Sequence, residues 1–209
     1  MTDFGFYLVI TNPVVGYAKC AEAAVRAGVK IIQLRMKHAA RDEILREARE
    51  MRRVTAGTET LFIVNDDPSI AAEVEADGVH VGQGDMPPAE VRARYPGLRI
   101  VGLSTHNLDQ VRASWDQPID YIGVGPVYAT PTKEIPDPTL GLDALGEMVA
   151  SVPFPAVAIG GIDETRLPDV IAAGAKNFAV VRAVCQADDP LAAIRALQVT
   201  AERCRNRMT

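Results

Sequence analysis

The sequence has few cysteines and no long apolar run. Its three cysteines, Cys20, Cys185 and Cys204, are odd in number and lack CxxC spacing, which argues against a disulfide framework and a zinc site. We interpret them as small, partly buried apolar residues. No segment reaches the roughly 18 apolar residues of a membrane span, and residues 1–12 lack a signal-peptide pattern. We therefore expect no membrane contact and a cytoplasmic location.

Positive charge is also scarce. The chain has 22 Lys and Arg against 27 Asp and Glu, and no basic run interleaved with aromatic residues. This argues against a nucleic-acid surface, so small molecules are the expected partners and any anionic ligand must be held by local charge. The 209 residues, 48% of them hydrophobic, fit a single domain spanning residues 1–209.

Short apolar runs alternate with Ala- and Glu-rich stretches, which is typical of βα units on a parallel sheet. Predicted strands begin at Phe6, Val29, Leu61, Gly78, Arg99, Ile119, Ala156 and Asn177. Predicted helices lie near residues 17–27, 41–56, 69–75, 88–95, 108–115, 142–150, 164–173 and 189–205. Eight βα units predict an α/β fold, a single (β/α)8 TIM barrel. A doubly wound open sheet is the alternative, although no G-x-G-x-x-G follows the first strand.

Several residues carry the signals of helix ends. The predicted helix starts are Ser69, Asn107 and Asp163, and the predicted ends are Gly28, Gly57 and Gly174.

Active sites of (β/α)8 enzymes lie at the carboxyl ends of the strands, where this sequence is rich in polar residues. Gln33, Arg35 and Lys37 are spaced by two, so on a continuing strand they project to the same side and form an anion clamp. The alternative is an exposed strand end with solvated charges.

Asp66 and Asp85 end two neighbouring strands. Carboxylate oxygens beside an anion clamp are suited to Mg2+, with ligand oxygens and waters completing the coordination. The alternative is that Asp66 or Asp67 only caps the following helix, and Asp67 is the better candidate for that role.

The later strand tails add a loop and a glycine pair. Thr130, Thr132 and Lys133 lie in a long proline-containing connection, and such loops above a barrel are usually functional. Phosphate binding is expected at the tails of the last two strands, where main-chain N–H groups and a helix N-terminus receive the anion. The residues of that expected site are Gly160, Gly161, Val181 and Arg182.

The histidines divide into two groups. His80 lies within an apolar strand and is expected to be a hydrogen-bonded core residue, whereas His38 and His106 lie at strand ends within reach of a ligand. No catalytic triad spacing is evident, and no group stands out as a covalent nucleophile.

Taken in order, the strand tails resemble those of the thiamine phosphate synthase family from the first strand through AVVRAV. The matching motifs are IQLRMK, IVNDD, ADGVHVGQGDMP, VGLSTHN, DYIGVGPVYATPTK, LGLDAL and AIGGI. The resemblance implies Mg2+-assisted loss of diphosphate from a pyrimidine substrate, followed by capture of the resulting cation by a thiazole nitrogen.

The resemblance also implies roles for individual residues. Hydroxymethylpyrimidine diphosphate would be bound by Gln33, Arg35, Lys37 and Asn65. Ser104 and Lys133 would also contact that substrate. Asp66 and Asp85 would hold Mg2+. Thr130, Thr132, Gly161, Val181 and Arg182 would cradle the thiazole phosphate.

Four positions depart from the family pattern. Met36 stands where an acidic residue is common, Asp67 where a basic or larger polar one is, Ser69 where an aspartate is, and Arg182 where a serine often occurs. An Asp67 carboxylate beside a diphosphate would weaken binding unless it pairs with a cation or faces away.

Two other functions fit parts of the pattern. A thiazole tautomerase of the same superfamily would carry a histidine where this chain has Pro126, and its diphosphate clamp would be weakened. A barrel that binds a phosphorylated pyrimidine or thiazole without turnover is the second alternative. A homo-oligomer is compatible with either function.

Overall fold

A computed structural model describes residues 3–130 and 138–207. Within these residues, eight strands form a closed barrel in chain order, and every neighbouring pair is parallel, including the last strand with the first. The predicted (β/α)8 barrel is therefore confirmed. The doubly wound open sheet is wrong, because an open sheet has two edge strands that pair on one side only, whereas here the last strand pairs with the first and closes the barrel.

The described residues form the following elements. The strands are β1 Phe6–Ile10, β2 Ile31–Leu34, β3 Leu61–Asn65, β4 Gly78–Val81, β5 Ile100–Thr105, β6 Tyr121–Val124, β7 Ala156–Ala158 and β8 Asn177–Val180. The helices are α1 Tyr17–Arg26, α2 Arg41–Thr55, α3 Pro68–Glu73, α4 Pro88–Arg94, α5 Leu108–Ala113, α6 Gly141–Ala150, α7 Leu167–Ala172, α8 Arg182–Cys185 and α9 Pro190–Asn206. Among the helices described, none is both long enough and apolar enough to span a bilayer.

Alternation along each strand divides the apolar side chains between two layers. On β1, Phe6 and Leu8 pack outward against the helices, whereas Tyr7 and Val9 point into the barrel. The small inner layer consists of Tyr7, Val9, Ile31, Ile63, Ile100, Tyr121, Val157 and Ala179. Gln33 and His80 share this interior, so it is partly polar.

The same type of hydrogen bond recurs at the amino ends of alternate strands, where a side-chain oxygen accepts from main-chain N–H groups. Asp77 precedes β4 and accepts a hydrogen bond from Phe62 N of β3 at 2.9 Å. Asp120 precedes β6 and accepts from Val101 N of β5 at 2.7 Å. Asn177 begins β8 and accepts from the main chain of residues 4 and 5 before β1. These side chains satisfy main-chain N–H groups in or just before the strands at the base of the barrel.

The helix ends agree only in part with the predictions. Asn107 caps α5, accepting from Gln110 N at 2.9 Å, and Gly28, Gly57 and Gly174 all have positive φ. The Ser69 prediction is wrong: Asp67 caps α3 because Pro68 begins the helix. The Asp163 prediction is also wrong, since Asp163 caps a preceding turn and α7 begins at Leu167.

The barrel base gives a stability prediction. Asp77 is 7% exposed and pairs with Arg99 and, at 3.6 Å, with Arg52. Asp77→Ala should lower the free energy of unfolding by about 1–3 kcal/mol, because it leaves Phe62 N–H without its acceptor. Urea unfolding measures this effect. The exposed Asp116→Ala is the matched control, and equal stabilities of the two variants would contradict the role of Asp77.

Candidate active site

Cationic side chains follow β2 at the carboxyl rim of the barrel. Because β2 ends at Leu34, Arg35 and Lys37 lie in the following loop, and the prediction that they continue the strand is wrong. The main-chain pairing between β1 and β2 extends one hydrogen bond past the end of β2, since Arg35 N donates to Ile10 O at 2.9 Å. The Lys37 ammonium donates to the Asp66 carboxylate after β3, so side chains from two strand ends meet.

Arg35 lies in the same group of charges. Burial lowers the pKa of its guanidinium from the ordinary value, while the negative charge of Asp66 and the nearby Tyr17 raise it. Because the ordinary pKa of arginine lies far above neutral pH, the guanidinium stays protonated despite this burial. Arg35 is therefore a partly buried, permanent cation close to Asp66.

Asp66 and Asp85 form a carboxylate pair at the rim. Asp66 has a positive φ of 64°, and its main-chain N–H donates to His80 O at 2.8 Å. Asp85 Oδ2 accepts from Gly82 N at 2.7 Å. Burial raises the pKa of Asp85, and the adjacent Asp66 raises it further by repulsion and a shared hydrogen bond. Two carboxylates placed this close together favour a bound cation.

The donor set fits a hard divalent cation. Throughout residues 3–130 and 138–207, no group of three or more His, Cys, Asp or Glu side chains converges on a metal position. A cation held by Asp66 and Asp85 would therefore need further oxygen ligands from substrate and water. Mg2+ prefers such sites, because it retains several waters and takes only one or two carboxylates.

The Asp67 carboxylate is engaged at the start of α3. Its Oδ1 accepts from Ser69 N at 2.8 Å, Ser69 Oγ at 2.6 Å and Ile70 N at 3.0 Å. The predicted capping role is confirmed, and it also accounts for Ser69 as the hydroxyl partner of Asp67. The carboxylate engages the N-terminus of α3, where negative charge is favourable.

A chain of polar side chains crosses the barrel interior below the rim. It runs from Gln33 through Tyr7, Tyr121 and His80 to Ser104. The prediction that His80 is a hydrogen-bonded core residue is confirmed. The sequence analysis missed Tyr7 and Tyr121, because each lies in an apolar run that resembles ordinary core.

The opposite side of the rim is built from glycines. Gly160 and Gly161 have φ of 107° and 64°, and a Cβ on Gly160 would lie 2.6 Å from Pro126 Cα. Arg166 Nη1 donates to Gly161 O at 2.8 Å, and its guanidinium lies 5.0 Å from the Tyr128 ring centroid. Only glycine therefore fits where the main chain turns beneath the β6 loop.

The remaining predicted residues follow several different strands, and two of them lie outside the described residues. Val181 and Arg182 follow β8, the neighbour of β7, and the exposed Arg182 begins α8. Asn65 ends β3 and Thr130 is half-buried in the loop after β6. His106 Nδ1 lies 2.6 Å from Gly125 O, and His38 is exposed. Thr132 and Lys133 lie outside the described residues.

The capping role of Asp67 is testable by matched substitutions. Asp67→Ala should lower the free energy of unfolding by about 1 kcal/mol, because two main-chain N–H groups lose their acceptor. Asp67→Asn should retain most of the stability, since asparagine caps as well as aspartate. Chemical denaturation compares the two variants, and an alanine variant as stable as the asparagine one would refute the cap.

Comparison with known proteins places these features in context. The family model described as "Thiamine monophosphate synthase" matches residues 6–184. A thiamine-phosphate synthase from Chloroflexus aurantiacus is 45% identical over 177 residues, covering 85% of this chain and 82% of the relative. One from Vibrio campbellii is 36% identical over 195 residues, covering 92% and 96%. The solved thiamine phosphate pyrophosphorylase from Pyrococcus furiosus aligns with a TM-score of 0.87 at 30% identity, covering 97% of each chain.

Proposed function

The chain belongs to the thiamine monophosphate synthase family, and from this premise we propose how its own residues perform the reaction. It is a thiamine-phosphate synthase, a transferase that acts on small molecules. The proposed substrates are hydroxymethylpyrimidine diphosphate and hydroxyethylthiazole phosphate, and the products are thiamine phosphate and diphosphate. The supporting observation is the meeting of Arg35, Lys37, Asp66 and Asp85 at one rim.

The proposed metal ligands are Asp66 and Asp85. Their oxygens would hold Mg2+, and diphosphate oxygens and waters would supply its other ligands. When bound, the ion supplies positive charge to the departing diphosphate. Lys37, which is paired with Asp66, would donate to the same anion.

The cationic side chains would drive the bond-breaking step. The bond from the pyrimidine methylene carbon to oxygen breaks, and both electrons leave with the diphosphate. Arg35, Lys37 and Lys133 would donate to its oxygens, and the Ser104 hydroxyl would add a further donor. Gln33 and Asn65 would hold the rest of the pyrimidine substrate. Fixed positive charge of this kind is usually the largest catalytic contribution. The thiazole nitrogen then donates its lone pair to the pyrimidine-methyl cation, so no enzymic nucleophile is needed.

The glycine side of the rim would hold the second substrate. Main-chain N–H groups of Gly160, Gly161, Val181 and Arg182 would bind its phosphate, because such groups bind anions well at the last two strands of a barrel. The hydroxyls of Thr130 and Thr132 would add donors. Because the Arg182 side chain is exposed, we assign binding to its main-chain N–H.

The alternatives are not favoured. The tautomerase would need a histidine where buried Pro126 stands, and the relatives are thiamine-phosphate synthases. Binding without turnover would not require the paired carboxylates. The single catalytic domain, the cytoplasmic location and a homo-oligomer stay predictions.

The reaction is tested by mixing the protein with both phosphorylated substrates and Mg2+ and following thiamine phosphate and diphosphate. We expect EDTA to abolish turnover. Asp85→Ala and Lys133→Ala should each lower it at least about tenfold, because the first removes a proposed Mg2+ ligand and the second removes a cation from the diphosphate site. The exposed residues Asp116 and Lys19 supply matched alanine controls. Near-normal turnover in the Asp85 and Lys133 variants would refute the site assignment, and thiazole isomerisation without diphosphate release would favour the tautomerase.

A further inference from the structure

Five buried or half-buried polar side chains form one continuous hydrogen-bonded chain across the barrel. Gln33 Nε2 donates to Tyr7 OH at 2.7 Å, and Tyr7 OH lies 2.9 Å from Tyr121 OH. His80 Nδ1 lies 3.0 Å from Tyr121 OH, and His80 Nε2 lies 2.9 Å from Ser104 Oγ. The two ends of this chain are residues assigned above to the pyrimidine substrate. The three between them have no assigned role.

The barrel reserves space for this chain. A Cβ on Gly102 would lie 2.3 Å from Tyr121 Cζ and 2.5 Å from His80 Nδ1, so the two rings occupy the volume that a side chain would fill. The rings of His80 and Tyr121 stack with centroids 5.4 Å apart. Exposure is 9% or less for Gln33, Tyr7, Tyr121 and His80. The chain is therefore shielded from water, which would otherwise exchange with its hydrogen bonds.

Donor counting gives the chain a direction. Each tyrosine hydroxyl has one proton, so Tyr7, which accepts from Gln33, donates to Tyr121. Tyr121 then donates to His80 Nδ1. A neutral imidazole that accepts at Nδ1 carries its proton on Nε2, and this N–H donates to Ser104 Oγ. The one proton of Ser104 is left to point toward a bound ligand.

We propose that Tyr7, Tyr121 and His80 are positioning residues that fix Ser104 as a donor and Gln33 as an acceptor toward the pyrimidine diphosphate. The proposal rests on the proposed function, in which Ser104 contacts diphosphate. Ionised diphosphate oxygens only accept hydrogen bonds, so Ser104 must donate, and that requirement selects the direction described. The Gln33 amide oxygen then lies outside the chain and accepts from a donor on the pyrimidine ring.

One substitution reverses the whole chain. In Gln33→Glu, an ionised carboxylate has no proton to give, so Tyr7 must donate to it and Tyr121 must donate to Tyr7. His80 then donates from Nδ1 and accepts at Nε2 from Ser104. The Ser104 hydroxyl loses its donor role although no atom of Ser104 has changed.

Imidazole 15N NMR spectra of the ligand-free protein report the direction of the hydrogen-bonded chain, and they require no turnover. We expect a neutral His80 protonated at Nε2 in the wild type and at Nδ1 in Gln33→Glu, with the signals assigned by their loss in His80→Asn. Wild-type protonation at Nδ1, or no change in Gln33→Glu, would overturn the proposal. Because substrates are absent, this test is separate from failure of the proposed function.

A double-mutant cycle then tests whether Tyr121 acts through Ser104. Tyr121→Phe keeps the ring that packs against Gly102 and removes only the hydroxyl. It should raise KM for the pyrimidine diphosphate at least about fivefold and leave KM for the thiazole phosphate within about twofold. In a Ser104→Ala background it should have little further effect, because the residue it positions is gone.

The matched control is Tyr95→Phe, on the outer side of the barrel at the end of α4. Provided that the wild type is active, two results would overturn the positioning role. One is that Tyr121→Phe leaves KM for the pyrimidine diphosphate unchanged, and the other is that its effect adds fully to that of Ser104→Ala. A wild type without synthase activity would instead overturn the proposed function, while the 15N measurement would still decide the direction of the chain.

Discussion

The charges at the rim depend on one constraint, which is that all eight strands run parallel around a closed barrel. Residues that are far apart in sequence at the ends of β2, β3 and β4 therefore meet at one edge. Lys37 pairs with Asp66, and Asp66 lies beside Asp85. An open sheet would also align these neighbouring strands, but closure adds the glycine turn after β7 and the start of α8 to the same mouth.

The interior of the barrel supports this mouth by polar as well as apolar contacts. Apolar side chains fill much of the interior, but the Gln33–Ser104 chain links β2 to β5 through hydrogen bonds. In the described residues, every buried side-chain nitrogen or oxygen has a hydrogen-bond partner. A complete buried network holds its members in one arrangement more firmly than packing alone, because breaking one bond leaves a polar group without water.

The sequence predicted the barrel because eight apolar runs and eight helical stretches leave few other architectures. Asp66 could be selected because it follows β3 directly, and Asp85 because it lies in the short tail after β4. Local details were harder. Asp67 replaced the predicted Ser69 as a cap because Pro68 fills the first helical position, and α8 has four residues, which is too short to show helical periodicity.

The interior chain was beyond sequence reasoning for a different reason. Tyr7 and Tyr121 are 114 residues apart, and their 2.9 Å contact exists only because β1 and β6 face each other across the barrel. Nothing in the runs FYLVI or YIGV distinguishes a tyrosine with a hydrogen-bonding role from one that packs as core. The available signal for this chain was a small inward residue next to a large one, such as Gly102 next to Tyr121.

The most direct test of the rim is a crystal structure of the protein with Mg2+ and inorganic diphosphate. The account predicts a metal ion about 2.0–2.1 Å from oxygens of both Asp66 and Asp85, with diphosphate completing its coordination and Arg35 and Lys37 donating to that diphosphate. A metal ion bound by neither carboxylate, or a diphosphate bound away from Arg35 and Lys37, would contradict it.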